Sequence, residues 1–162
     1  MLVKHPLKPI YNEFSKVLIL GTMPSIISRE KGFYYAHPKN RFWSVLESLF
    51  DEVITDKEEF LLRKNIALWD VISSCEITSS IDTSIKNVKV NNINNLIKKT
   101  NIKCIFTTGR KAYELYNKYL FPKTKIKAVC LLSTSPANAK SNLKILSQNY
   151  KVIKDYLDFF LP

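Results

Sequence analysis

Glycine is nearly absent from this chain, with 3 in 162 residues, and histidine rarer still, with 2. So few glycines leave no G-x-G-x-x-G and no Walker loop, which argues against dinucleotide and triphosphate binding. There is no G-x-S-x-G elbow, and only His5 and His37 could act as an imidazole base, which weakens a serine-hydrolase triad. The three cysteines, Cys75, Cys104 and Cys130, are odd in number, far apart and without C-x-x-C spacing. Free thiols in a reducing cytosol fit them better than a structural zinc or an iron–sulfur cluster. No His/Asp cluster has metal-ligand spacing, so neither metal nor cofactor is expected. No apolar run reaches the roughly 18–20 residues that span a bilayer. Lys4, His5, Lys8, Glu13 and Lys16 break up any signal-peptide core. The expectation is a soluble cytoplasmic chain with no membrane partner, a monomer by default, forming one domain over residues 1–162.

Charge is what the chain has in excess, at +11 net. Residues 1–81 hold 10 Lys+Arg against 10 Asp+Glu, whereas residues 82–162 hold 15 against 4. A one-sided basic surface suits a polyanionic partner. Compositional drift explains it equally well, because only four of the 25 cations are arginine.

Four nearly continuous apolar runs, Lys16–Leu20, Ile66–Ile72, Ile102–Thr107 and Lys127–Leu132, read as strands covered on both faces. Helical periodicity links Phe42, Val45, Leu46, Leu49 and Phe50, and then Ala112, Leu115, Tyr116, Tyr119 and Leu120. Ile93, Leu96 and Ile97 mark a shorter helix, and Leu143 to Phe160 a long one that stops before Pro162. Strands alternating with helices predict an α/β fold, a three-layer α/β/α domain around a four-stranded parallel sheet.

Ligands of such sheets bind beyond the carboxyl ends of the strands. Those segments read Gly21-Thr22-Met23-Pro24-Ser25, Ser73-Ser74-Cys75, Thr108-Gly109-Arg110 and Ser133-Thr134-Ser135-Pro136-Ala137-Asn138. Asp70 is the carboxylate nearest a strand end, and a cap or turn acid is its plainer reading. The densest stretch is Gly32-Phe33-Tyr34-Tyr35-Ala36-His37-Pro38-Lys39-Asn40-Arg41-Phe42-Trp43. Its aromatics beside Lys39 and Arg41 suit base stacking next to phosphate contacts. Equally, Asn40 is placed to cap the following helix, and Tyr34 and Tyr35 to pack.

The run from Leu18 to Leu46, with its G-T-M-P-S, S-R-E, G-F-Y-Y and H-P-K-N-R-F-W pieces, resembles the uracil-DNA glycosylase superfamily, and most closely its hypoxanthine-DNA glycosylase branch. A-L-W-D-V-I at 67–72 and L-L-S-T-S-P-A-N at 131–138 agree with it. The resemblance implies a sheet of order 2-1-3-4. It also implies a repair enzyme that flips a deaminated base from double-stranded DNA and hydrolyses its N-glycosidic bond by a monofunctional route. Hypoxanthine is the first expected base, with xanthine or uracil after it.

By the same resemblance, Gly21–Ser25, Tyr35 and His37 form the base pocket, with Tyr35 stacking on the flipped base. Asn40 is the catalytic residue, its amide accepting a hydrogen bond from the attacking water. The 133–138 loop enters the minor groove. Arg41, Gly109, Arg110, Lys140 and Lys144 are expected to lie against DNA. Many superfamily members carry Asp or Asn just after the first-strand glycine, where this chain has Thr22-Met23. That departure leaves a rival open, a damage-binding module of the same fold with little turnover. A glycosidase of free nucleosides is a third reading, one that would need no basic second half.

Overall fold

The computed structural model describes residues 1–77 and 85–159. Its centre is a parallel sheet of β2 (Val17–Gly21), β3 (Ile66–Asp70), β6 (Cys104–Thr108) and β7 (Ala128–Leu131), in the order β3-β2-β6-β7. In chain order of the four strands this is 2-1-3-4, as expected. Side chains alternate across the central strand. Val17 and Ile19 face α2 (Phe42–Phe50), α3 (Lys57–Arg63) and α7 (Leu143–Phe159), while Leu18 and Leu20 face α4 (Ile93–Lys98) and α5 (Arg110–Tyr119). Each face is closed by fully buried groups, among them Phe42, Phe60 and Tyr150 on one side and Ile93 and Tyr116 on the other. Burying a side chain of this size contributes roughly 1.5–3 kcal/mol. The expected helices are present, although Phe160 and Pro162 lie outside the described residues.

A second sheet was not anticipated. β1 (Leu2–Lys4), β4 (Ile72–Ile77) and β5 (Ile85–Val90) pair antiparallel in the order β1-β4-β5. The run read as one strand over 66–72 therefore divides at Val71. There the chain crosses the end of β2, with Val71 N–H donating to the Gly21 carbonyl and Ile72 N–H to that of Thr22. Asn91 clamps the crossing, its side-chain amide donating to the carbonyls of Asp70 and Ile72. Short helices α1 (Ile26–Lys31), α3 and α6 (Phe121–Thr124) were also unforeseen. Ser25 caps α1 through its hydroxyl, and Gly32 ends it at φ 74.

The N-terminal segment positions the site most directly. β1 pairs with β4, and Ile10 exchanges two backbone hydrogen bonds with Leu68 on the outer edge of β3. His5 lies between these two anchors and so arrives at the carboxyl end of β3.

Candidate active site

The carboxyl edge converges on Gly21. A Cβ at that position would meet Asp70 Oδ1 at 2.4 Å, the Tyr35 hydroxyl at 3.0 Å and Thr108 Oγ1 at 3.4 Å. Glycine is required here by close approach. Asp70 stands opposite Gly21 in the parallel register and is 2% exposed. His5 Nε2 lies 2.7 Å from Asp70 Oδ2, while His5 Nδ1 accepts from Leu7 N–H at 3.2 Å. The imidazole proton is therefore on Nε2, and that N–H donates to the carboxylate. Burial pushes the Asp70 carboxyl above its ordinary range, and the hydrogen bonds from His5 and the Gly21 backbone pull the other way.

Tyr35 adopts φ 51, a left-handed conformation uncommon for a bulky residue. Its hydroxyl pairs with Thr108 Oγ1 at 2.9 Å, and its ring stacks on Phe42 with centroids 3.9 Å apart. Burial, then the charge of Asp70, holds the Tyr35 hydroxyl well above its usual range, so it stays a neutral donor. Tyr34 is a packing residue, with its hydroxyl on the Lys8 carbonyl and its own carbonyl accepting from Trp43 Nε1. Ser28 joins α1 to this loop by accepting from Ala36 N–H.

Asn40 sits where two loops meet. Its Oδ1 accepts from Phe42 N–H at 2.9 Å and from the Thr134 hydroxyl at 2.9 Å. Both lone pairs are occupied, so the Nδ2 amide, rather than the oxygen expected to hold a water, is the group left to act on a substrate. His37 closes the turn before it. The His37 carbonyl accepts from Asn40 N–H, and Nδ1 accepts from Lys39 N–H at 3.0 Å. His37 thus also carries its proton on Nε2, as a donor.

Arg41 does not turn outward. Its guanidinium donates to the carbonyls of Ser135 at 2.8 Å, Asn138 at 3.0 Å and Ser141, and its N–H donates to the Thr134 carbonyl. The expected phosphate contact is instead a strut of the 133–141 loop. That loop also closes on itself: Ser133 Oγ accepts from Ser135 N–H, Ser135 Oγ from Ala137 N–H, and Asn138 Nδ2 donates to the Ser133 carbonyl. Pro136, Ala137 and Lys140 are exposed at its crest, and Lys144 follows on α7. Gly109, at φ 90, packs beside Ser133.

Of the remaining expected residues, Arg110 stands apart and residues 22–25 continue the turn from Gly21. Arg110 projects into solvent with its side chain 80% exposed, 3.5 Å from Glu114. Met23 packs against the core on the α4/α5 face, Pro24 is buried and Thr22 half-buried, and Ser25 is engaged in capping. Two surface grooves, one beside α3 and one at the end of α2, are lined by Asp56, Glu58 and Glu59 and by Glu47, Asp51 and Glu52. Such acidic walls disfavour a phosphate backbone. His5 and Thr108 had no assigned role in the expected site, although Thr108 lay in a strand-end segment and His5 was one of two possible imidazole bases. The available signal was an acid at a strand end in a chain with only two histidines.

Residues 9–158 match the family model described as the uracil DNA glycosylase superfamily. The chain belongs to that superfamily. Superfamily relatives include a protein of Methanosarcina barkeri named hypoxanthine DNA glycosylase, 34% identical over 85% of this chain and 90% of its own length. A Methanosarcina acetivorans protein of the same name is 31% identical over 86% and 90%. A solution structure from M. acetivorans, described as a candidate uracil DNA glycosylase, superimposes with a TM-score of 0.81 at 27% identity, covering 98% of this chain and 99% of that one. The superfamily fold is thus the α/β sheet found here. Its members hydrolyse N-glycosyl bonds.

Proposed function

We propose that this chain is a monofunctional DNA-repair glycosylase, one domain over 1–162, acting as a cytoplasmic monomer on double-stranded DNA. It removes a flipped deaminated base, hypoxanthine first, and leaves an abasic site. The observation that carries the reading is Asn40, clamped through Oδ1 by two loops, with no partner on Nδ2 among the described residues. Both relatives named above carry the name hypoxanthine DNA glycosylase.

In the reaction the C1′–N bond breaks and its electron pair leaves with the base. A water oxygen bonds to C1′, and the water's proton ends on the released base. Asn40 Nδ2–H and His37 Nε2–H are fixed donors for the negative charge gathering on the leaving purine. Losing one such donor typically costs about 10²–10³ in rate. The Tyr35 ring, already seated on Phe42, offers an aromatic surface to the extruded base.

The test incubates the protein with duplexes carrying inosine, xanthosine or uracil and scores alkali-labile scission together with released free base. Hypoxanthine release, with strand breaks only after alkali and no borohydride-trapped adduct, supports the reading. Lesion binding without base release would replace it with the damage-binding module.

A further inference from the structure

β2 runs into Gly21-Thr22-Met23 with no carboxylate of its own, yet the adjoining strand ends in Asp70, paired with Gly21 in the register. Asp70 is almost completely buried, and the hydrolysis described above makes no use of it. Burying a carboxylate is costly unless it is paired, and apolar groups of similar size commonly serve stability as well or better. The fold nevertheless brings the N-terminal segment across β3 to set His5 on Asp70 Oδ2 at 2.7 Å. It also keeps glycine at position 21, where a Cβ would come within 2.4 Å of Oδ1. The same Cβ position lies 3.0 Å from the Tyr35 hydroxyl. The carboxylate thus lies directly under the turn and the tyrosine that frame the proposed base pocket.

We infer that Asp70 is a positioning residue of the site, an anion held by His5 beneath the Gly21–Ser25 turn, which stabilises the positive charge that develops on the deoxyribose as the glycosidic bond breaks. This rests on the glycosylase reading above. Asp70 does not touch the substrate. It acts through the Gly21 backbone it packs against and through its field, which a poorly hydrated setting strengthens.

The consequence is an acid limb in the rate. Burial has already moved the Asp70 carboxyl upward, so protonation as pH falls removes the anion above the ordinary carboxylate range. The groups facing Asp70 are His5 from the N-terminal segment, Gly21 from β2, and Tyr34 and Tyr35 from the aromatic loop. Both tyrosine hydroxyls are pushed far above neutrality by burial, then by Asp70, and do not titrate in this range. Removing the His5 donor takes away a stabiliser of the anion and shifts the limb to higher pH.

The experiment measures single-turnover base release from an inosine duplex between about pH 5 and about pH 8, with thermal melts and duplex binding for each variant. Asp70→Asn keeps the shape and removes the charge. Its neutral-pH rate is expected to fall about 10- to 100-fold, with lesion binding near wild type and the acid limb gone. His5→Ala shifts the limb upward, and His5→Gln, which restores an N–H donor, moves it back. If Asp70→Asn does not fold, the His5 pair decides. A wild-type rate and limb in Asp70→Asn, or a limb that ignores His5, overturns the inference while the glycosylase reading stands. A wild-type chain that releases no base overturns both.

Discussion

The two loops that meet over the carboxyl edge are held in opposite ways. Residues 33–43 are tied to the core by large side chains: Tyr34 on the Lys8 carbonyl, Tyr35 on Thr108 and Phe42, Trp43 on the Tyr34 carbonyl. Residues 133–141 have small polar side chains that close short turns, and their carbonyls are gathered by the one guanidinium of Arg41. The second loop therefore takes its shape from the first. Under the proposed function, the aromatic loop anchored in the core would fix the base pocket and also set the surface that meets the duplex. Asn40 and Arg41 are where the charge-neutral half of the chain is tied to the basic half.

Arg41→Lys is expected to have the largest effect, releasing the second loop from the first. A lysine is a point donor and cannot span three carbonyls. The expected loss is about 3 kcal/mol, read as a lowered denaturation midpoint with early proteolysis confined to the 133–141 loop. Stability close to wild type would mean the loop holds itself. Tyr35→Phe sharpens the comparison from the other side. It removes the hydroxyl from Thr108 but keeps the stack on Phe42, and should cost about 1 kcal/mol with excision nearly unchanged. A collapse in excision would show that the hydroxyl itself takes part. The smallest effect on the fold belongs to Lys140→Glu with Lys144→Glu. Stability should stay within about 0.5 kcal/mol, while duplex affinity falls and its salt slope shrinks by about 2. An untouched slope would return both lysines to compositional drift.

The parallel sheet was readable because each of its strands is a continuous apolar run ending where a polar loop begins. The β1-β4-β5 sheet was not. β1 has three residues, β4 continues the apolar run of β3 past a break at Val71, and β5 meets β4 across register shifts. The break comes from tertiary hydrogen bonds to β2 and Asn91, which no local pattern records. In the site, Asn40 was expected to cap the helix, but the cap position of α2 falls to Arg41, which makes no side-chain cap hydrogen bond. Asn40 instead closes an Asx turn one residue earlier, its Oδ1 accepting from Phe42 N–H, and that bond orients the amide. Arg41 shows the limit of composition. A cation among aromatics resembles a phosphate contact, and only the fold brings loop carbonyls within its reach. His5 lies in a segment without periodicity, and its value arises when Ile10 pairs with Leu68.

Asn40 is proposed to drive base release while the two loops bind the lesion. Single-turnover release of free hypoxanthine from an inosine duplex by Asn40→Ala, beside lesion-duplex affinity and a thermal melt, tests it most directly. The variant is expected to fold, about 1 kcal/mol less stable through loss of the Oδ1 hydrogen bonds to Phe42 N–H and the Thr134 hydroxyl. It should bind lesion DNA within a fewfold of wild type and release base about 10²–10³ times more slowly. Release at the wild-type rate from a folded Asn40→Ala would contradict it.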